Sequence, residues 1–97
     1  MASILIVDDE VDIRGLLSDI LSDEGYTVFQ ASNAAAAIAT FNENHIDLAI
    51  VDIWLEGSEL DGIGVLKRVK STNPNIPIIM ISGHGNIETA VQTIKLG

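Results

Sequence analysis

Three aspartates follow two apolar segments of the chain, at positions where carboxylates support metal-assisted chemistry. Asp52 ends residues 47–52, whose four consecutive apolar residues are typical of a strand buried on both faces. Asp8 and Asp9 follow residues 4–7, which repeat this pattern. In an open parallel sheet, ligands bind beyond the carboxyl ends of the strands. If the two strands are parallel neighbours, the three carboxylates meet in one small region.

Such a cluster needs a partner of opposite charge. Three nearby carboxylates repel one another, and burial raises the cost of keeping them ionised. A divalent cation removes this conflict, and an acidic all-oxygen site suits Mg²⁺, which binds carboxylates together with waters and a phosphate. The pattern predicts Mg²⁺-assisted phosphoryl chemistry at Asp8, Asp9 and Asp52. The competing interpretation is structural, with each aspartate a solvated strand end and the first pair including a helix N-cap.

Composition restricts the class of protein. The chain has 97 residues, which indicates one domain. Fourteen acidic residues against five basic ones give a net charge of −9, which opposes nonspecific binding to nucleic acid or anionic membranes. Cysteine is absent, which excludes a disulfide scaffold and thiolate metal ligands. No signal peptide or apolar run of membrane-spanning length appears, so a soluble, cytoplasmic chain that does not bind membranes is expected.

The elements that would position these aspartates alternate between strand and helix. A helix follows the first strand, and we expect its apolar stripe to pack against the core; the stripe consists of Ile13, Leu16, Leu17, Ile20 and Leu21. Gly25 suits the left-handed position that ends this helix. Strand–helix alternation with crossovers of this length predicts a doubly wound parallel α/β sheet.

The remaining elements follow from cap and turn residues. Residues 26–31 are expected to form a second strand. Asn33 is expected to cap the helix that follows this strand. Asp61 is expected to cap a third helix, which Gly62 and Gly64 weaken in its first turn. Residues 76–81 predict a fourth strand, with Pro77 near its start, and a last helix is expected to begin at Asn86.

Together, these residues resemble the receiver domain of two-component response regulators. The resemblance covers residues 3–97 and depends on four motifs: Val7-Asp8-Asp9-Glu10, Asp52, Asp61-Gly62 and Ser82-Gly83. Residues 82–91, with residues 52–55 and a long loop before Asp61, more particularly resemble NtrX-type regulators of nitrogen metabolism. Full-length members of that class carry an AAA+ domain and a DNA-binding domain, so any contact with DNA would be made by output domains absent from this chain.

The resemblance implies a role for each site residue. Asp52 would accept a phosphoryl group from an NtrY-like sensor histidine kinase. Asp8, Asp9 and Asp52, with the backbone carbonyl of Trp54, would hold Mg²⁺. Ser82 would donate a hydrogen bond to a phosphoryl oxygen and start the conformational switch. Phosphorylation would change homodimerisation or higher self-association and so control transcription, and the domain would be no enzyme beyond its own phosphotransfer and dephosphorylation.

The resemblance also implies a flavodoxin-like sheet with strand order 2-1-3-4, and a receiver domain over residues 1–97 that lacks its fifth strand and fifth helix. The phosphate-binding lysine of the family would lie on that missing strand, and Lys95 does not replace it. The fourth strand would then form an apolar edge, so self-association through this edge or by exchange of elements is expected. Glu56 stands where receivers usually have a proline.

Two other function classes compete with this interpretation. The first is an interaction or dimerisation module that is never phosphorylated, which the missing lysine favours for this chain. The second is an aspartyl-phosphate hydrolase, which would need a second aspartate two residues after Asp52, where Trp54 stands.

Overall fold

The fold is an alternation of four strands and three helices. A computed structural model describes residues 2–55 and 59–81 of the chain. The elements in chain order are β1 (Ser3–Val7), α1 (Val11–Asp23), β2 (Thr27–Ala31), α2 (Ala34–Glu43), β3 (Leu48–Asp52), α3 (Glu59–Thr72) and β4 (Ile78–Ile81). The predicted last helix, with Asn86 at its start, lies outside the described residues.

All strand pairs in the sheet are parallel, and the strand order is β2-β1-β3-β4. The predicted doubly wound topology and the order 2-1-3-4 are therefore confirmed. In the register, Ile6 lies opposite Gln30 of β2 on one side and Ile50 of β3 on the other. The two central strands, β1 and β3, carry the apolar segments that the sequence places before the aspartates.

Helices on both faces bury the central strands. One face packs with α2 and α3 into an aliphatic cluster whose buried members include Leu5, Val7, Ala49, Val51, Ala37, Val65 and Val69. The other face carries a smaller cluster of Ile4, Ile6 and Ile50, against which Leu17 and Leu21 of α1 pack. Because successive strand residues point to opposite faces, burial on both sides requires the continuous apolar runs seen in β1 and β3.

The apolar stripe of α1 is only partly a core face. Leu17 and Leu21 pack against the sheet, as predicted, but Ile13, Leu16 and Ile20 are 38%, 61% and 51% exposed. The prediction is wrong for these three residues. A helix that lies on a sheet contacts the strands with only a narrow part of its surface. In the described part of the chain, the apolar face of α1 is wider than this contact, so its outer residues stay exposed.

The predicted helix ends are confirmed at Gly25 and Asn33. Gly25 has a φ of 96°, and the helix closes with N–H bonds from Gly25 to Ser22 O and from Tyr26 to Leu21 O, a Schellman arrangement. The Asn33 side chain accepts a hydrogen bond from the N–H of Ala36 at 2.8 Å.

Several predicted element boundaries move by a few residues. The helix α3 begins at Glu59, so Asp61 lies inside its first turn and the prediction that Asp61 caps this helix is wrong. An acidic residue there still interacts favourably with the positive end of the helix dipole. β2 and β4 begin one and two residues later than predicted, and Pro77 directly precedes β4 because it has no N–H to donate within a ladder.

None of the described helices combines the length and apolarity needed to cross a bilayer.

Candidate functional site

The carboxyl ends of β1 and β3 bring Asp8, Asp9 and Asp52 together. Val7 lies opposite Val51 in the parallel register, so the residue after each occupies an equivalent place at the edge of the sheet. One carboxylate oxygen from each aspartate lies within 4.8 Å of the others. Asp8 and Asp52 are 2% and 3% exposed, whereas Asp9 is exposed. Two buried acids and one exposed acid therefore meet at the carboxyl edge of the sheet.

The same local turn orients the two buried carboxylates. Oδ1 of Asp8 accepts a hydrogen bond from the N–H of Glu10 at 2.8 Å, and Oδ1 of Asp52 accepts one from the N–H of Trp54 at 3.0 Å. Each is a side chain bonded to the backbone two residues later, which is a turn that aspartate forms readily. The chain therefore leaves both strands in the same way, and each turn holds its carboxylate at the sheet edge.

The electrostatics of the cluster favour a bound cation. Burial, the largest influence, raises the pKa of Asp8 above its ordinary value, and the hydrogen bond from Glu10 N–H opposes this shift. The negative charges of Asp52 and Asp9 raise the same pKa further, and the Arg14 charge lowers it. The donors are all carboxylate oxygens, which suit a hard divalent ion such as Mg²⁺. The residues present therefore fit a magnesium site in donor chemistry and charge.

Trp54 adjoins the acidic cluster. Its side chain is half-buried, and within the described part of the chain its indole Nε1 is buried with no hydrogen-bond partner. Its backbone N–H is committed to Asp52. The predicted role of the Trp54 carbonyl as a metal ligand stays a prediction.

The strand β4 ends beside Asp52. Ile81, the last residue of β4, pairs in register with Asp52, and the N–H of Ile53 donates to Ile81 O at 2.9 Å. Ser82, for which the sequence predicts a phosphoryl contact, lies outside the described residues, as do Glu56 and Lys95.

Two residues near the site received no role of their own from the sequence, although Gly62 belongs to the Asp61-Gly62 motif. A Cβ at Gly62 would lie 2.6 Å from the carbonyl carbon of Ile53 and closer still to the carbonyl oxygens of Asp52 and Ile53. Gly62 is therefore required where α3 crosses the backbone beyond β3, and nothing in the local sequence shows this close approach. Arg14 donates from Nη1 to the main-chain oxygen of Asp8 at 2.6 Å. One feature of the sequence could have drawn attention to Arg14: it is the only Lys or Arg among residues 1–66.

The sequence and fold of the chain are similar to those of known proteins. A family model described as the response regulator receiver domain matches residues 4–97. The nitrogen assimilation regulatory protein NtrX of Azorhizobium caulinodans is 53% identical over 94 residues, a match covering 97% of this chain and 21% of that protein. A putative NtrX-like response regulator of Rickettsia bellii is 48% identical over 97 residues, all of this chain and 20% of that protein.

A solved structure shows the same architecture. The crystal structure of the receiver domain of NtrX from Brucella abortus superposes with a TM-score of 0.89 at 53% identity, covering 97% of this chain and 78% of that one. The chain spans about a fifth of the length of the curated relatives it matches.

Proposed function

The chain belongs to the response regulator receiver domain family, as its motifs indicate, and we propose that Asp52 accepts a phosphoryl group from a sensor histidine kinase in a Mg²⁺-dependent reaction. The observation that carries this proposal is the meeting of Asp8, Asp9 and Asp52, whose ligand atoms lie within 4.8 Å of one another at the carboxyl edge of the sheet. Similarity to NtrX receivers at 53% identity supports an NtrX-type regulator.

In the proposed transfer, a carboxylate oxygen of Asp52 attacks the phosphorus of a phosphohistidine. The new bond is O–P, the breaking bond is N–P, and the imidazole leaves with the electron pair of that bond. The products are an acyl phosphate on Asp52 and an unmodified histidine on the kinase. Trp54 N–H holds Oδ1 of Asp52 in a defined orientation, which limits the rotational freedom of the nucleophile.

The carboxylates of Asp8, Asp9 and Asp52 would hold Mg²⁺, and the backbone carbonyl of Trp54 would complete the protein ligands. The chemistry that a bound Mg²⁺ supplies is neutralisation of the charge on the transferring phosphoryl oxygens. Asp8 and Asp52 support this assignment by being buried while facing other acids, a combination that a cation relieves.

Ser82 is proposed to donate its hydroxyl to a phosphoryl oxygen. Its position in the sequence supports the role, because Ser82 directly follows Ile81, the register partner of Asp52. Formation of that hydrogen bond would bias the segment after β4 between two arrangements.

The consequence proposed for the longer protein is a change in self-association. Residues 1–97 would act as the receiver domain, and output domains elsewhere would contact DNA and control transcription. For the 97-residue chain itself, β4 is an edge strand of the described sheet and its Ile79 is 50% exposed, which supports pairing between copies of this chain along β4. In the longer protein the expected fifth strand would cover that edge.

The test is the intact mass of the chain after incubation with Mg²⁺ and acetyl phosphate, a small-molecule phosphoryl donor. We expect one phosphoryl adduct in the wild type, none in Asp52→Asn, and a normal adduct in Asp47→Asn. Asp47 is a matched control because it precedes the same strand at its opposite end. An adduct retained in Asp52→Asn would refute the assignment of the nucleophile.

A second outcome bears on the competing function. A folded wild type that takes no phosphoryl group and does not respond to Mg²⁺ would favour the interaction module that works without phosphorylation. Folding is checked independently by circular dichroism, so an inactive folded chain is distinguished from an unfolded one.

A further inference from the structure

Arg14 links the acidic edge of the sheet to α1 and β2. It lies in the second turn of α1 and is half-buried. Its Nη1 donates to the main-chain oxygen of Asp8 at 2.6 Å, and its Nε donates to Oε1 of Gln30 on β2 at 3.2 Å. Nε2 of Gln30 then donates to Oγ of Ser18, a buried hydroxyl on α1. The three side chains form a continuous hydrogen-bonded chain from Asp8 to the interior of α1.

This chain completes the restraints on Asp8. Its N–H donates to Ala31 O at 3.1 Å, its Oδ1 accepts from Glu10 N–H at 2.8 Å, and its carbonyl oxygen accepts from Arg14. Three of the four polar atoms of Asp8 are thus held by three different parts of the chain. Repulsion from the two other acids favours rotation of the Asp8 carboxylate away from them. The three hydrogen bonds oppose that rotation.

Arg14 is suited to this task by its shape. Its guanidinium presents several donors in one plane, so Nη1 and Nε bond two acceptors at once, one just after β1 and one on β2. A lysine would keep the positive charge but has one flexible donor group. The role of the geometry can therefore be separated from the role of the charge.

We propose that Arg14 is a positioning residue for the cation site, which holds the end of β1 so that the Asp8 carboxylate stays beside Asp52 before any cation binds. This inference rests on the proposed function, since it assigns Arg14 to the same metal site. Arg14 does not contact the cation in this scheme. It raises the affinity of the site through the backbone of Asp8, as hydrogen-bonded partners of metal ligands commonly do.

Positioning and simple electrostatics predict opposite results. If only the charge of Arg14 mattered, Arg14→Lys would bind Mg²⁺ like the wild type, and Arg14→Met would bind it more tightly because a nearby positive charge is gone. If Arg14 positions Asp8, Arg14→Lys weakens Mg²⁺ binding although the charge is kept. The expected loss is roughly 10-fold in affinity, the lower end of the effects seen for such partners.

The experiment is a titration of the metal-free 97-residue chain with MgCl₂, followed by the fluorescence of Trp54, the only tryptophan. The backbone N–H of Trp54 donates a hydrogen bond to Asp52, so the indole lies close to the site and its fluorescence reports on it. Gln30→Met is the second test variant. It removes both bonds of an exposed side chain and leaves Arg14 in place, so the fold is expected to survive. Arg68→Lys, an exposed substitution on α3, is the matched control.

A second readout needs no metal. The amide hydrogen of Glu10 is bonded to Asp8 Oδ1, so its exchange with solvent reports whether that carboxylate stays in place. We expect faster exchange at Glu10 in Arg14→Lys and in Gln30→Met, with wild-type exchange in Arg68→Lys.

The outcomes are distinct. Weaker Mg²⁺ binding and faster Glu10 exchange in both test variants support the proposal. Wild-type affinity in Arg14→Lys with tighter binding in Arg14→Met overturns it in favour of charge alone. If the wild type shows no response to Mg²⁺, the proposed metal site fails, and the metal-free exchange rates alone decide whether Arg14 positions Asp8.

Discussion

Two glycines two residues apart in α3 offer a sharp test of how the helix packs beside the site. Gly62 is buried, and a Cβ there would lie 2.6 Å from the Ile53 carbonyl carbon, whereas a Cβ at Gly64 would meet nothing within 4 Å. Ordinary contact begins at about 3.4 Å. Gly62→Ala therefore requires the helix or the backbone beyond β3 to move by most of an ångström, and Gly64→Ala requires no movement.

The magnitudes follow from two opposing effects. Alanine in a helix interior is favoured over glycine by about 0.5–1 kcal/mol, and both substitutions receive this gain. Overpacking a well-filled site costs about 1–3 kcal/mol, and more where the obstacle is backbone, and only Gly62→Ala incurs this cost. We expect the free energy of unfolding to rise by about 0.5–1 kcal/mol in Gly64→Ala and to fall by about 1–2 kcal/mol in Gly62→Ala.

The assay is thermal and urea unfolding followed by circular dichroism. For a chain of this size, 1 kcal/mol corresponds to roughly 4–8 °C in Tm, so the two variants should move in opposite directions by measurable amounts. The Asp52 carbonyl is among the atoms that the new methyl would meet, so Mg²⁺ affinity should also fall in Gly62→Ala and stay unchanged in Gly64→Ala. Equal stabilisation by both substitutions would refute the close approach and return Gly62 to the role of an ordinary weak helix residue.

Three further predictions test burial, pH dependence and capping. Leu17→Ala should lower the free energy of unfolding by about 1–2 kcal/mol, since Leu17 packs on the sheet, and Leu16→Ala should change it by less than about 0.5 kcal/mol, since Leu16 is 61% exposed; equal losses in urea unfolding would contradict this burial. The Ser3 N–H bond, followed by the His45 side chain, lowers the pKa of Asp47 below its ordinary value of 3.8, so Asp47 contributes stability above pH 3.8 that is lost as the pH falls through its folded pKa. The stability advantage of the wild type over Asp47→Asn should therefore shrink in acid, and a constant difference would be inconsistent with this linkage. Asn33→Ala should cost about 1 kcal/mol by removing the cap of α2, with the loss visible as earlier thermal unfolding.

The alternation of elements and the sheet order were accessible from sequence because their signals are local or depend on a recognisable motif set. The continuous apolar runs of β1 and β3 reflect burial on both faces, which only a central strand of a parallel sheet experiences. Gly25 and Asn33 were correctly placed because a left-handed residue and a side-chain cap are requirements of a few neighbouring residues.

The errors arose where another element sets the outcome. The stripe of α1 predicts which residues are apolar but not how many of them the sheet can cover, so Ile13, Leu16 and Ile20 were wrongly placed in the core. Ile53 and Leu55 directly follow β3 and are 1% and 0% exposed, a burial that no pattern in the sequence indicated. Burial is a property of the assembled layers, and a linear pattern does not specify it.

The site divides in the same way. The sequence alone was sufficient to choose Asp8, Asp9 and Asp52, because aspartates directly after apolar strands must appear at the carboxyl edge of a parallel sheet. It did not show that Arg14 bonds the main chain of Asp8 or that Gly62 packs against the backbone after β3. Arg14 reaches Asp8 through a hydrogen bond to main chain six residues away, and Gly62 is required by carbonyls nine and ten residues before it. Such contacts depend on how helices and strands lie against each other in space, and this packing is settled only when the whole chain has folded.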